Sequence, residues 1–141
     1  MRRRSMLSLL FAGLLSLLTS PRDSLAQDTT AAETAATAWL AQVDAGQYAD
    51  SWTSAGATFK NAVGQEKWQE AVKRVRDQVG AFKSRTKSSA APMTNPPGAP
   101  PGEYVIFQYS ATFEQRATAT ETVTAVHETD GAWRIVGYFV Q

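Results

Sequence analysis

The stretch KWQEAVKRVRDQVGAFKSRTKSS, residues 67–89, changes its rhythm at Gly80. Before the glycine, Trp68, Val72, Val75 and Val79 recur at the spacing of one helical face, which predicts a helix over 65–79. After it the period is two: Lys83, Arg85 and Lys87 alternate with Ser84, Thr86 and Ser88, which predicts a strand over 82–91. One switch from helical to extended period, with no return, predicts an α+β chain with helices first and strands last.

Working upstream, Tyr48, Trp52, Ala55 and Phe59 repeat the helical spacing and predict a helix over 48–58, with Gly56 weakening its end. Ala32, Ala36, Trp39 and Val43 predict an earlier helix over 31–45. Thr30 and Glu33 have the spacing of a capping box at its start, and Gly46 marks its end. Working downstream, PMTNPPGAPPG (92–102) has too many prolines for either regular element and reads as a loop between strands. Residues 103–113 predict a strand with Val105, Phe107, Tyr109, Ala111 and Phe113 on one face. The threonine-rich 117–128 is a second β-branched strand, and Asp130-Gly131 turns it into a last strand at 133–140. In that strand Trp133, Ile135 and Phe139 share a side, and Gly137 predicts a bulge or bend. The expected fold is therefore three N-terminal helices packed on one face of a curved four-stranded antiparallel sheet.

The N-terminus reads as an export signal. Arg2, Arg3 and Arg4 precede an uncharged apolar run from Met6 to Leu18, and Ser24-Leu25-Ala26 presents the small residues of a cleavage site. The run is too short to span a bilayer, which needs about 20 residues, so no stable membrane span is expected. Cleavage near Ala26 predicts a single α+β domain at 27–141, secreted or periplasmic. The formal charge of the whole chain is +1. Removing residues 1–26 takes away four arginines and Asp23, leaving 10 basic against 12 acidic groups, a net of −2. That charge is uneven: −4 over 28–50, +5 over 60–87 and −3 over 103–141. The basic middle reads as a solvated helix face with a guarded edge strand, or as a contact for an anionic envelope surface. A third reading is internal pairing of helices with sheet. Nucleic acid is not an expected partner for an exported, net-acidic chain without a binding motif.

The chain has no Cys and one His. Disulfides, thiolate chemistry and sites built from two imidazoles are thereby excluded, and no metal or other cofactor is expected. Phosphate loops, zinc-protease motifs and nucleophile elbows are also missing from the sequence. Three residues are candidates for catalysis: Glu121, Tyr109 and His127. Glu121 and His127 lie on the core-facing parity of one strand but six residues apart, about 20 Å, so they are no local dyad. An inward Glu121 must be paired, to Arg116, Arg134 or a helix residue, or must anchor a wet pocket. Trp39, Tyr109 and Trp133 are candidate ligand-binding walls, while the helical tryptophans also fit a core role.

Four stretches, AWLAQVDAGQYADSW (38–52), KWQEAVKRVRDQVG (67–80), GEYVIFQYSATF (102–113) and ETVTAVHETDGAWRIVGYFV (121–140), resemble the bacterial domain of unknown function 4019 family. The resemblance covers nearly all of 27–141 and implies a small exported or envelope-associated protein without assigned activity. One departure is Gly64, where a Ser or Thr helix cap is expected. The terminal DGAWRIVGYFV is also similar to the closing strands of cystatin-like and nuclear-transport-factor-two-like rolls. These readings favour a non-catalytic module that binds a small molecule or an envelope protein. The alternatives are a small isomerase- or hydratase-type enzyme, with Glu121 as base and a tyrosine as electrophile, and an envelope-surface contact through 60–87. Oligomeric state is open.

Overall fold

The computed structural model describes residues 21–141, with side chains from Thr29 onward; the apolar run at 6–18 lies outside the described residues, and no side chain at the Ala26 site is described. The element order is α1 (Pro21–Asp44), α2 (Tyr48–Thr53), α3 (Ala57–Ala62), α4 (Gln65–Val79), β1 (Phe82–Thr94), β2 (Glu103–Phe113), β3 (Arg116–His127) and β4 (Trp133–Val140). The strands form one antiparallel sheet in the order β1-β2-β3-β4. The helices pack on one face of it, as the change of period at Gly80 predicts.

Helix boundaries differ from the sequence expectation in two places. Helix α1 begins at Pro21, so Thr30 is an internal residue and not a cap; its carbonyl accepts the Thr34 hydroxyl at 3.0 Å. No Gly or Pro interrupts 22–45, so the helix passes through Thr30 without a break. The single helix expected at 48–58 is two short helices. They are parted at Gly56, whose backbone is extended (φ −70°, ψ 158°). The sheet makes this break. The Gly56 amide donates to the Ile135 carbonyl at 2.8 Å, and the Ala57 amide donates to Glu128 Oε1 at 2.9 Å. Helix α4 starts at Gly64 without a side-chain cap.

Strand β1 runs on to Thr94 and contains Pro92. A proline is acceptable there because β1 is an edge strand, where a missing N–H removes no ladder bond. The expected proline-rich loop shrinks to 95–102 and is closed at its neck. The Asn95 amide donates to the Gly102 carbonyl at 2.8 Å, and the Gly102 amide donates to Asn95 Oδ1 at 2.8 Å. The Tyr104 hydroxyl pins the loop to the sheet through the Pro100 carbonyl at 2.8 Å.

Two register features decide which side chains face the helices. In β4 the register steps from Ala125↔Ile135 to Thr124↔Gly137, leaving Val136 as a bulge. Trp133 and Ile135 face inward as expected, but the bulge reverses the parity beyond it. Tyr138 turns in and Phe139, expected inside, is 52% exposed on the outer face. In β1, bulges near Lys83 and Ser88 leave Arg85 beside Ala111 and Lys87 beside Tyr109, both on the inward side. The outer face is then built from the other residues of the alternation. Thr86, Ser110 and Thr120 stand abreast in one row. Ser89, Gln108, Thr122 and Phe139 form the next, and Ala91, Ile106, Thr124 and Gly137 the one after.

The main core joins α1, α2 and α4 to the sheet through Trp39, Leu40, Val43, Trp68, Phe107 and Ile135. Ser51 is fully buried and organises its tryptophans. Its carbonyl accepts Trp39 Nε1 at 2.8 Å and its hydroxyl accepts Trp68 Nε1 at 2.9 Å. A Cβ on Gly56 would lie 2.6 Å from Val136 Cγ1, whereas nothing lies within 4 Å of one on Gly64. Gly56→Ala should therefore cost about 1–3 kcal/mol in chemical denaturation. Gly64→Asp, which adds the missing cap at an open helix start, should stabilise by about 0.3–1 kcal/mol.

Candidate functional site

The chemically densest point of the molecule lies between the end of α1 and the middle of the sheet. Arg85 is inserted there as a fork. Its Nε donates to Glu121 Oε1 at 2.6 Å, its Nη1 to Asp44 Oδ2 at 2.8 Å and its Nη2 to Asp44 Oδ1 at 3.1 Å. Arg76 of α4 approaches from the other side. Its Nη2 donates to Asp44 Oδ1 at 2.8 Å, and its Nη1 lies 3.9 Å from Glu121 Oε2. The Tyr138 hydroxyl donates to Glu121 Oε2 at 2.5 Å and accepts from Arg76 Nη1 at 3.3 Å. The guanidinium of Arg76 lies 4.8 Å from the Phe113 ring, and that of Arg85 lies 4.3 Å from the Phe82 ring. Two arginines thus face two carboxylates, so the cluster carries no net charge.

This arrangement settles how the inward Glu121 is compensated. Its side chain is fully buried and both oxygens are engaged. Of the partners expected, the helix residue is present as Arg76, and the main partner is Arg85. Arg116 and Arg134 are not its partners: Arg134 bonds Glu128 and Asp130 beside the β3–β4 turn. Burial opposes the charge of Arg85, yet its bonds to Asp44 and Glu121 outweigh that cost and raise its pKa. Burial also raises the pKa of Tyr138, and the neighbouring Glu121 charge and hydrogen bond raise it further, so this phenol holds its proton. A solvent-open hollow of about 440 Å³ reaches Asp44 and Arg76, and Glu121 is not among its walls. As arranged, Glu121 is a strut between strands and helices, with no free lone-pair edge turned to a substrate.

The other candidate residues are dispersed. Tyr109 lies in the register row of Lys87 and Glu121 and stacks near Phe107 (centroids 6.2 Å apart), and its buried hydroxyl makes no hydrogen bond. Burial, with the charge of Glu33 adding to it, pushes its pKa up to about 12. His127 is at the other end of β3. Its ring stacks on Trp133 at 4.9 Å, Nε2 meets the Gly131 carbonyl at 3.1 Å, and Nδ1 is 3.4 Å from Glu103. It belongs to the hairpin turn and does not join Glu121. Trp39 and Trp133, from distant parts of the chain, are brought to one cleft of about 190 Å³. Ala35, Ala38 and Trp39 of α1 form one wall, and Trp133 and Ile135 of β4 the other. Gln42 and Ser54, bonded to each other at 2.7 Å, close one end. Tyr109 is not part of this cleft. Among the described residues no three His, Asp or Glu side chains converge as a metal site requires.

Four of the eight basic residues of 60–87 are paired within the molecule. Arg76 and Arg85 are paired with Asp44 and Glu121, Lys87 with Glu33 at 2.6 Å, and Lys73 with Asp77 at 2.6 Å. Three acids from the two flanking regions, Glu33, Asp44 and Glu121, therefore offset part of its charge. Reasoning from the sequence missed Asp44, Arg76, Arg85 and Tyr138. The opposed charges of the three regions were the signal for their pairing.

Fold and site together define a small α+β domain whose helices are joined to a curved antiparallel sheet by a neutral, buried ion cluster. The chain belongs to the family described as Protein of unknown function (DUF4019), whose profile matches residues 35–138. That span runs from the first wall of the tryptophan cleft to Tyr138 and includes Asp44, Arg76, Arg85 and Glu121. Comparison with curated proteins and with solved structures finds no match, so no solved relative supplies the roll-type fold that the terminal strands resemble.

The two buried tyrosines should respond in opposite ways. Tyr138→Phe removes a hydrogen bond to a charged acceptor and should cost about 1.5–3 kcal/mol. Tyr109→Phe removes an unsatisfied buried hydroxyl and should be neutral or stabilising by about 1 kcal/mol. Glu121→Gln leaves buried arginines short of an anion and should cost about 3–5 kcal/mol in urea denaturation.

The same tyrosines set an alkaline limit. Each has a folded pKa above the ordinary value near 10, so between pH 10 and 12 the folded Tyr109 keeps a proton that the unfolded chain releases. Their contribution to stability is complete below about pH 10 and is lost as pH rises through the folded values. Denaturation midpoints should fall above pH 10, and the fall should be shallower in Tyr109→Phe.

Proposed function

We propose that this protein is an exported, non-catalytic binding module of the bacterial envelope, which takes a small planar molecule in the cleft between α1 and β4. The observation that carries the reading is the meeting of Trp39 and Trp133 at that cleft, with the Gln42–Ser54 pair at its end. Apolar walls with a few convergent polar groups are the usual composition of a small-molecule site. At about 190 Å³ the space is below the 300–1,000 Å³ of drug-sized pockets, which suits a single ring bearing one hydrogen-bonding group. The non-catalytic part rests on Glu121, whose carboxylate is bound by Arg85 and Tyr138.

Export rests on the cationic and apolar N-terminus. It fits the position of Ala32, the first buried core residue among the described side chains, which follows Ala26 by six residues. Cleavage there would leave every described core contact in place. Among the described residues, no helix is long and apolar enough to cross a membrane.

Benzamide is a suitable probe, a single ring with an amide to meet Gln42 and Ser54. Its titration should quench tryptophan fluorescence saturably. Ala38→Trp, which fills the cleft from an exposed helix position, should weaken binding at least tenfold without lowering the melting temperature. Equal affinity of wild type and Ala38→Trp would remove the cleft as the binding site. Recovery of the chain from the cytoplasm with residues 1–26 intact would refute export.

A further inference from the structure

The outer face of the sheet has an unusual composition. Its first three rows, from Thr86–Ser110–Thr120 to Ala91–Ile106–Thr124–Gly137, contain no ionisable side chain. The polar positions of a solvent-facing sheet ordinarily carry mixed charges, which oppose association. Here Arg85 and Lys87 of β1 are turned toward the helices, and hydroxyls face out. The two large hydrophobic side chains exposed among the described residues, Met93 and Phe139, both lie on this face. Met93 borders a groove of about 320 Å³ between the proline-rich loop and the sheet, walled by Pro96, Pro100, Tyr104, Ile106 and Val136. Phe139 stands outside the groove, two residues beyond Gly137 on its floor.

We infer that this face binds a second copy of the chain, in a two-fold pair in which each Phe139 enters the partner's groove. A two-fold interface sets a surface against itself, so any net charge on it meets the same charge. The three uncharged rows escape that penalty, Arg134 at the end of the Met93 row is paired with Glu128 and Asp130, and depletion of charge is the compositional mark of an interface centre. The face also carries its own knob and hole. Phe139 and the groove floor are about 7 Å apart along β4, so an axis passing between them brings each phenyl ring over the other copy's groove. The loop wall is held by its neck bonds and by Tyr104, so the groove exists before the partner arrives. Four strands about 4.8 Å apart and about eight residues long give about 500 Å² per copy, so about 1,000 Å² over the pair, the lower bound for a specific interface.

Sedimentation equilibrium of the purified protein at up to about 100 μM, covering the weak-dimer range, tests the inference. A monomer–dimer equilibrium is expected. Phe139→Glu and Thr124→Arg, each placing a charge on the face, should weaken it at least tenfold with unchanged circular dichroism. Lys73→Gln, at an exposed position of α4 on the other side of the sheet, should leave it unchanged. A wild type monomeric throughout, or a dimer whose constant neither face variant moves, would overturn the proposal. So would a monomer that binds dodecanol or a soluble neutral glucan in a Phe139-dependent way, since the face would then have a different occupant.

Discussion

The guanidinium of Arg85 is the joint on which the architecture depends. It projects inward from an edge strand and bonds, through different nitrogens, to the last residue of α1 and to the middle of β3. Arg76 repeats the contact to Asp44 from α4, and Tyr138 closes the cluster from β4. One neutral group of five side chains thus ties together α1, α4, β1, β3 and β4. Burying this many charges gives little net stability compared with an apolar filling of equal volume, but removal of any member leaves another without compensation. Its role is therefore geometric. It fixes the angle and depth at which the helix layer meets the sheet, where apolar contacts alone would tolerate sliding.

That constraint explains the inverted alternation of β1. A strand of Lys/Arg alternating with Ser/Thr ordinarily turns its charges to water. Here Arg85 and Lys87 look inward because their anions, Asp44, Glu121 and Glu33, are on that side. The period of two is obeyed and the sense is reversed. The Arg85 guanidinium also lies over the rings of Phe82 and Tyr109, at 4.3 and 6.0 Å, which adds cation–π contact to its ion pairs. The hydroxyls are left outside by default, and the uncharged outer face is the direct consequence of the charged inner one. Glu33, Asp44 and Glu121 from the acidic flanks are thus matched with Lys87, Arg76 and Arg85 of the basic middle.

Much of the fold is legible in the sequence because local signals and tertiary needs agree there. The switch at Gly80, the Asp130-Gly131 turn and the inward set of β2 each depend on a residue type that serves the same purpose alone and in the fold. The misreadings fall where a distant residue decides. Gly56 breaks a helix because the Ile135 carbonyl and the Glu128 carboxylate hold the chain there. Pro92 remains in a strand because β1 has no neighbour on its outer side. Phe139 and Tyr138 exchange faces because Val136 bulges, and a one-residue slip reverses every later side chain. Of the candidate site, the burial of Glu121 was readable from strand parity and that of Trp39 from helical spacing, whereas Tyr109 lies apart from the cleft. The identity of the ion partners was not readable, since pairing through space leaves no spacing to read.

The same helix break connects the ion cluster with the tryptophan cleft. Ser54 closes the cleft, and two residues on, Gly56 bonds the carbonyl of Ile135, itself a wall residue. Trp39 on the opposite wall is fixed by the Ser51 carbonyl, and its ring lies 5.3 Å from Tyr138 in T-shaped contact. Tyr138 is held by Glu121. The cleft is thus supported on one side by backbone bonds to β4 and on the other by aromatic contact with the ion cluster. A site so supported has little freedom to close on a ligand, and its affinity depends on how well a guest fits the existing space. In the proposed binding role the buried carboxylate would act by holding a wall in position, through Tyr138 and its contact with Trp39.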